Sequence, residues 1–271
     1  SALKIEINHY TKLIEEENFK LKPLREKNIE NLSKLQRINL ELKSIEDAYE
    51  IQSMNRKEWI SQGRLVTGYK VAFTTMESQQ IFGTNEPVYG TLFEDMRYPT
   101  NSTIAAGRLA HPKLEGEIVL ELNADLPAKM LSPEEIVSAV GAFYIALEIP
   151  DGSFASEFTA VDMAADNAGA ASYVLGDINP LTPEINLAAL SMEMRHNGEV
   201  VSTGKASTCM GNPMNVLVWL QGALARRDEE LKAGQIVYCG SLVPIIQVQP
   251  GDTFQAIVEG MGSVSCHFAP A

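Results

Sequence analysis

The chain has 271 residues, 45% of them hydrophobic, and its formal net charge at pH 7 is −13. Residues 1–60 carry eleven Lys and Arg against eleven Asp and Glu, whereas the rest of the chain carries eleven against twenty-four. Because the acidic part has no basic patch, we do not expect a nucleic-acid partner. No apolar run approaches the roughly 20 residues of a membrane-spanning helix, so we do not expect a membrane protein.

Helical patterns occupy the N-terminal part of the chain. Residues 1–43 are rich in Lys, Glu, Asn and Leu and predict helix with a break at Pro23. The next segment begins at Ser44 with a capping-box pattern and ends at Gly63. We therefore predict a small helical N-terminal region over residues 1–65.

From there the pattern changes to short strands separated by turns. Typical segments are "LVTGYKVAF", "LEGEIVLEL", "FYIALEI", "QIVYCG" and "TFQAIVEG". Two helices interrupt them, one capped by Ser132 before Pro133 and one capped by Asn212 before Pro213. The sequence thus predicts an α+β protein whose β-rich domain spans residues 66–271.

The cysteines and the N-terminus bear on the cellular compartment. Cys209, Cys239 and Cys266 are widely spaced and form neither a disulfide framework nor a zinc-binding pattern. The N-terminal segment lacks the apolar stretch and cleavage pattern of a secretory signal. We therefore expect reduced, buried thiols and a cytoplasmic protein.

The segment "HPKLEGEIVLEL" holds the first candidate site. Because a strand alternates its faces, Glu115 and Glu117 point the same way, with their Cα atoms roughly 7 Å apart. Their oxygens could therefore meet on one ion. The alternative is an ordinary solvated strand face, since Glu is mostly exposed in proteins.

Two more charged residues lie in apolar strands. Glu148 ends the strand "FYIALEI", where burial of an unpaired carboxylate would be unfavourable unless the strand meets solvent there. Lys70 lies inside "GYKVAF", and Lys is seldom buried without a partner. An amine and three carboxylates would fit an active site, provided that the fold brings these strands together.

Beyond these single residues, longer motifs carry a family resemblance. The segments "GYKVAFTT", "YGTLFEDM", "HPKLEGEIVLEL", "ADNA", "GNPMNVLVWL" and "LKAGQIVYCGSLVPIIQVQPGD" occur in this order. In order and spacing the chain resembles the 2-hydroxypenta-2,4-dienoate hydratase / 4-oxalocrotonate decarboxylase family of the fumarylacetoacetate hydrolase superfamily. The resemblance covers nearly the whole chain, and "GTLFEDM" is more similar to the hydratase branch. It implies a mixed β-roll, a homo-oligomer and a role in aromatic catabolism.

The resemblance also implies roles for individual residues. Glu115, Glu117 and Glu148 match the metal-binding carboxylates, and oxygen ligands of this kind suit Mg²⁺ or Mn²⁺ better than zinc. Lys70 matches the active-site lysine, and Asp95 in "FEDM" is a second catalytic candidate. A loop near the substrate is implied for three further residues, Gly240, Ser241 and Leu242.

Three positions depart from the family pattern. Val88 replaces an acid before the aromatic-Gly pair, Ser153 stands where an arginine is usual, and Gly169 replaces the serine of "DNAS". We predict that these residues line the substrate pocket. Loss of the arginine removes a bidentate partner for a carboxylate, so we expect monocarboxylic substrates to be preferred over dicarboxylic ones.

The function implied is that of a metal-dependent lyase which adds water to a 2-hydroxydienoate or 2-oxo-enoate through a metal-bound enolate. A lysine with a pKa lowered by desolvation would move one of the protons. The alternatives are a 4-oxalocrotonate-type decarboxylase, a tautomerase or C–C hydrolase of the same superfamily, and a catalytically silent binding or assembly protein. The hydrolase is disfavoured because no His-Glu element precedes the β-rich domain.

Overall fold

The structure, a computed structural model, describes residues 44–105, 109–152 and 158–270. The helix predicted within residues 1–43 lies outside this part. The helices are α1 (Ile45–Ser61), α2 (Met76–Ile81), α3 (Pro133–Ser138), α4 (Ala160–Ala165) and α5 (Pro213–Ala225). None of these helices is long and apolar enough to cross a membrane.

Strands are the predominant regular structure of the described chain, as the alternating segments predict. They are β1 (Val66–Ala72), β2 (Val88–Phe93), β3 (Arg97–Pro99), β4 (Ser102–Ile104), β5 (Lys113–Leu122), β6 (Val140–Ile149), β7 (Ser172–Pro180), β8 (Ser191–His196), β9 (Glu199–Lys205), β10 (Ile236–Ser241), β11 (Ile246–Gln247), β12 (Thr253–Val258) and β13 (Gly262–Phe268).

These strands form two mixed sheets. The first has eight strands in the order β2-β1-β10-β5-β6-β7-β3, with β11 paired to β5. The second has five strands in the order β4-β13-β12-β8-β9. Parallel pairs such as β1 with β10 stand beside antiparallel pairs such as β5 with β6. The architecture confirms the expected α+β fold with a mixed β-roll.

Strand β5 is buried on both faces, and this explains its composition. The face with Gly116 packs on the second sheet, because a side chain at Gly116 would lie 2.5 Å from Met192 Sδ. On the opposite face, Val119 packs in an apolar cluster with Tyr173 and Tyr238. On that second face Glu117 is therefore buried, whereas Glu115 and Glu121 are half-buried.

Two helices begin at the residues predicted to cap them. Ser132 caps α3 as predicted and forms a capping box with Glu135, and the Asn212 side chain accepts a hydrogen bond at the start of α5. The compact unit begins at Ile45. Helix α1 thus belongs to the same unit as the sheets, whereas the sequence pattern grouped it with residues 1–65. The three cysteines are free and buried, as expected.

Candidate metal and active site

Three glutamates converge on one point of the first sheet. Glu115 and Glu148 are direct partners across β5 and β6. Glu117 follows on the same face of β5, so that one carboxylate oxygen from each residue lies within 4.8 Å of the others. Glu117 and Glu148 are each 1% exposed. The proximity expected from the two-residue spacing is therefore present, and the solvated alternative does not hold for Glu117.

Several oxygens of this cluster lack partners. Glu117 Oε2 accepts a hydrogen bond from the Gly240 N–H (2.8 Å). Among the described residues, Glu117 Oε1 and Glu148 Oε2 have no hydrogen-bond partner. Buried polar atoms are rarely left unsatisfied, and a divalent cation would satisfy these oxygens. The all-oxygen cluster fits Mg²⁺ or Mn²⁺ by its chemistry.

The electrostatics of the cluster favour the same interpretation. Burial raises the pKa of Glu117 well above its usual value, and the charges of Glu148 and Glu115 raise it further. Burial likewise raises the pKa of Glu148 to about 7, although Lys70 opposes this shift. Carboxylates that repel one another in an apolar setting are stabilised by a shared cation.

Lys70 joins the cluster from strand β1. Its Nζ lies 3.1 Å from Glu148 Oε1 and donates a hydrogen bond to the Ala168 carbonyl at 2.8 Å. Burial alone would lower the pKa of Lys70, but the negative charges of Glu148, Glu115 and Glu117 outweigh burial and raise it. The lowered pKa inferred from the sequence is therefore wrong for the metal-free protein, because the amine is paired.

The loop Gly240–Leu242 lies against the same cluster. Gly240 has φ +94°, and a side chain there would come within 2.2 Å of Thr74 Oγ1, so the position requires glycine. Ser241 is opposite Glu117 in the β10–β5 register, and its hydroxyl donates to the Val243 carbonyl at 2.7 Å. Leu242 is buried.

Two of the three positions that depart from the family pattern lie in the described part of the chain. Val88 and Gly169 are both buried, and Gly169 directly follows the residue whose carbonyl binds Lys70. Ser153 lies outside the described residues. His111, which precedes β5 in the segment that holds Glu115 and Glu117, is exposed, and its backbone N–H donates to Asp151 at 2.7 Å.

Asp95 is not brought to the cluster within this chain. It is exposed, and it forms an ion pair with Arg64 at 2.9 Å. It follows Phe93, which pairs with Val66 at the start of β1, whereas Lys70 lies farther along that strand. For Asp95, proximity to the site residues in the sequence therefore did not predict proximity in the fold.

Two groups beside the cluster carried no clear sequence signal. The Ala168 carbonyl is a backbone atom, and only its place in "ADNA" marks it. The Cys209 thiol donates to the Gly240 carbonyl at 3.1 Å, and burial raises its pKa to about 12, with Glu117 adding to the shift. A protonated thiol at this position supports the glycine loop rather than acting as a nucleophile.

Comparisons with known proteins agree with this geometry. The family model "Fumarylacetoacetate (FAA) hydrolase C-terminal" matches residues 68–269. The chain is 39% identical to the 2-keto-4-pentenoate hydratase of Paraburkholderia xenovorans (strain LB400) over 227 residues, which cover 83% of this chain and 84% of that protein. It is 29% identical to a 4-oxalocrotonate decarboxylase of Pseudomonas putida over 223 residues, which cover 82% and 84% of the two chains.

A solved structure gives the same relationship in three dimensions. The 4-oxalocrotonate decarboxylase from Pseudomonas putida G7, complexed with magnesium and adipate, superimposes with a TM-score of 0.81. It is 28% identical, and the match covers 85% of this chain and 88% of that one.

Proposed function

Because this chain belongs to the fumarylacetoacetate hydrolase family, we propose that it is a metal-dependent hydro-lyase that adds water to a 2-hydroxydienoate or 2-oxo-enoate, as a 2-keto-4-pentenoate hydratase does. The observation that carries this proposal is the convergence of the cluster Glu115, Glu117 and Glu148 on buried Lys70. The greater identity to the hydratase than to the decarboxylase favours hydration.

The proposed cofactor is Mg²⁺ or Mn²⁺, held by Glu115, Glu117 and Glu148. Magnesium in the similar decarboxylase structure and the unpartnered oxygens of Glu117 and Glu148 support this assignment. When bound, the cation supplies Lewis-acid stabilisation of negative charge at the C2 oxygen of a 2-oxo acid. The Gly240 N–H holds one oxygen of Glu117, which leaves the other oxygen free for the cation.

Lys70 is the proposed proton carrier. Conversion of a 2-hydroxy-2,4-dienoate to the 2-oxo-3-enoate moves one proton from the C2 hydroxyl to C5. The Lys70 amine is held by Glu148 and by the Ala168 carbonyl beside the cluster, and as an ammonium group it can give a proton to C5 and recover the hydroxyl proton. Water then adds its oxygen at C4 and a proton at C3, which gives a 4-hydroxy-2-oxo acid.

The substrate class follows from the charges available at this site. In the described part of the chain, Lys70 is the basic side chain in contact with the cluster. We assign the substrate carboxylate to the loop Gly240–Leu242, with the Ser241 hydroxyl as a partner when it turns away from the Val243 carbonyl. A second substrate carboxylate would lack the arginine that Ser153 replaces, and desolvation of an unpaired charge is unfavourable. A monocarboxylic substrate fits best.

The second candidate function is decarboxylation of a vinylogous β-keto acid such as 4-oxalocrotonate. Stabilisation of charge at C2 serves this reaction too, and the structural similarity to a decarboxylase supports it. Tautomerisation, C–C hydrolysis and a silent binding role remain further alternatives.

A direct assay separates these functions. The Mg²⁺-loaded protein is given 2-hydroxypenta-2,4-dienoate or 4-oxalocrotonate, the loss of ultraviolet absorbance is followed, and the products are identified by NMR. Hydration predicts 4-hydroxy-2-oxopentanoate from the dienoate without release of CO₂. Release of CO₂ from 4-oxalocrotonate as the faster reaction would establish the decarboxylase instead, and absence of turnover with both would favour the silent role.

We further propose a cytoplasmic homo-oligomer, as the family resemblance implies. Light scattering at micromolar concentration should give a mass well above the 29.7 kDa of one chain. A single-chain mass would contradict this assignment.

A further inference from the structure

The turn Asn167–Gly169, which follows helix α4, has an unusual backbone. Its three consecutive residues have φ angles of +54°, +55° and +67°. Glycine adopts this left-handed region freely and Asn tolerates it, but for Ala168 it is disfavoured. Strained backbone of this kind persists only where the surroundings hold it, and such sites are often functional.

The contacts that hold this turn come from strand β2. Asn167 Oδ1 accepts from the Thr91 N–H at 2.7 Å, and Asn167 Nδ2 donates to the Thr91 carbonyl at 2.9 Å. The close approach needs Gly90, because a side chain there would lie 2.0 Å from the Asn167 carbonyl oxygen. The Asn167 side chain thus pairs with β2 as a neighbouring strand would.

Helix α1 secures the same arrangement from the other side. Gln52 Nε2 donates to the Tyr89 carbonyl on β2 at 2.8 Å and to the Ala164 carbonyl of α4 at 2.7 Å. One buried amide therefore ties β2 to the helix that leads into the turn. These contacts are hydrogen bonds between buried polar groups, and together they fix the position of the turn.

Two carbonyl groups of the turn accept hydrogen bonds from neighbouring segments. The Ala168 carbonyl accepts from Lys70 Nζ at 2.8 Å. The Gly169 carbonyl accepts from the Asp151 N–H at 3.1 Å, just beyond the end of β6, where Glu148 lies. The turn therefore contacts both the Lys70 side chain of β1 and the segment that directly follows β6.

The direction of the lysine amine follows from these contacts. An ammonium group has three N–H donors in a tetrahedral arrangement. The Ala168 carbonyl takes one of them in a hydrogen bond, and the Glu148 carboxylate, 3.1 Å from Nζ, attracts the ammonium group as an ion pair, so these two partners together restrict the orientation of the amine. Without these contacts the flexible lysine side chain would adopt many orientations, because an uncharged substrate carbon does not attract the ammonium group.

We propose that the turn Asn167–Gly169 is a positioning element for the Lys70 amine, with Asn167 as the positioning residue and Gly90 as the position that admits it. The proposal rests on the role given to Lys70 in the proposed function. The hydrogen bond to Ala168 and the ion pair with Glu148 anchor the amine, and a remaining N–H is directed at the carbon that receives the proton. Asn167 does not itself contact the substrate.

Two variants loosen the turn by different means. Asn167→Ala removes both hydrogen bonds to Thr91, and Gly90→Ala forces β2 away from the turn. Gly222→Ala is the matched control, because a side chain at Gly222 in α5 meets nothing closer than 3.8 Å. For both test variants we expect kcat to fall about tenfold or more with nearly unchanged KM, since small misplacements of a catalytic group have large effects.

A second measurement does not depend on turnover. In ¹⁵N-lysine NMR of the metal-free protein, an immobilised Lys70 ammonium should give a slowly exchanging signal, identified by its loss in Lys70→Met. The signal should persist in Gly222→Ala and be lost in Asn167→Ala and Gly90→Ala. Calorimetry should give an unchanged Mg²⁺ affinity for these two variants, because the carboxylates are untouched.

The outcomes separate this inference from the proposed function. Full activity in Lys70→Met would refute the proton-carrier role itself. An inactive Lys70→Met beside wild-type kcat and NMR signal in Asn167→Ala and Gly90→Ala would overturn the positioning role alone. If neither turn variant folds, the wild-type spectrum decides, since absence of the slowly exchanging signal would also overturn it.

Discussion

Lys70 Nζ lies 3.1 Å from Glu148 Oε1, and the two side chains are only 4% and 1% exposed. A buried ion pair of this kind is weak support for stability, because both charges lose their hydration. We therefore interpret the Lys70–Glu148 ion pair as a functional feature of the site. The same Glu148 carboxylate faces Glu115 and Glu117, so it links the amine to the candidate cation site.

Replacement of the amine should separate catalysis from metal binding. Lys70→Met removes the proton carrier, and we expect kcat to fall by about 10²–10⁴, the range typical of lost general acid–base catalysis. Mg²⁺ should still bind, because the three carboxylates remain. Lys205→Met, at an exposed position, is the control. A Lys70→Met variant with kcat close to wild type would contradict the assignment.

Removal of one buried charge should stabilise the metal-free protein at high pH. The pKa of Glu117 is raised in the folded state, so the stability associated with this group is present below its unfolded pKa of about 4.3 and is lost as pH rises towards the folded value. Glu117→Gln avoids that loss and can still accept from Gly240. We expect a higher melting temperature than wild type at pH 8 and a smaller difference at pH 5.

Addition of Mg²⁺ should reverse the order of the two melting temperatures. With saturating Mg²⁺, the wild type should become the more stable protein, because only it retains the full ligand set and ligand binding stabilises the folded state. If Glu117→Gln melted below the metal-free wild type at pH 8, the account of a strained carboxylate cluster would be wrong.

Metal binding should release protons and weaken on acidification. Burial raises the pKa of Glu148 to about 7, so this carboxyl is partly protonated near neutrality in the metal-free protein, and burial also raises the pKa of Glu117. A cation binds the ionised forms and displaces those protons. Calorimetry in buffers of different ionisation enthalpy should reveal proton release, with affinity that decreases below about pH 7. A pH-independent affinity between pH 5 and 8 would speak against this site.

Substrate choice tests the account of the altered positions. With Ser153 in place of arginine, kcat/KM for 2-hydroxypenta-2,4-dienoate should exceed that for its six-carbon dicarboxylic analogue. Ser153→Arg should narrow the difference by supplying a bidentate partner. Preference of the wild type for the dicarboxylic acid would mean that another basic group has taken over.

Strand alternation in the sequence correctly predicted which face of β5 holds Glu115 and Glu117. That rule is local, because period two follows from the backbone of a single strand. The position of Glu148 opposite Glu115 depends on the register between two strands, and that register is set by packing over the whole sheet. The family resemblance, not the spacing, supplied it.

The position of Asp95, the direction of the Lys70 pKa shift and the role of the Ala168 carbonyl were not predicted from the sequence for the same physical reason. Asp95 follows β2 closely in sequence, yet strand direction carries it away from Lys70 towards Arg64. The expected lowering of the Lys70 pKa considered burial alone, whereas three convergent carboxylates reverse its sign. The Ala168 carbonyl has no side-chain signature at all. Each of these features depends on contacts between segments distant in sequence.

The most direct measurement is a calorimetric titration of the metal-free protein with Mg²⁺ and with Mn²⁺. Wild type and Glu121→Gln should each bind one ion per chain, since Glu121 lies on the same strand but outside the cluster. Glu117→Gln and Glu148→Gln should lose this binding. Undiminished binding in Glu117→Gln, or loss of binding in the Glu121→Gln control alone, would contradict the claim that Glu115, Glu117 and Glu148 hold the catalytic cation.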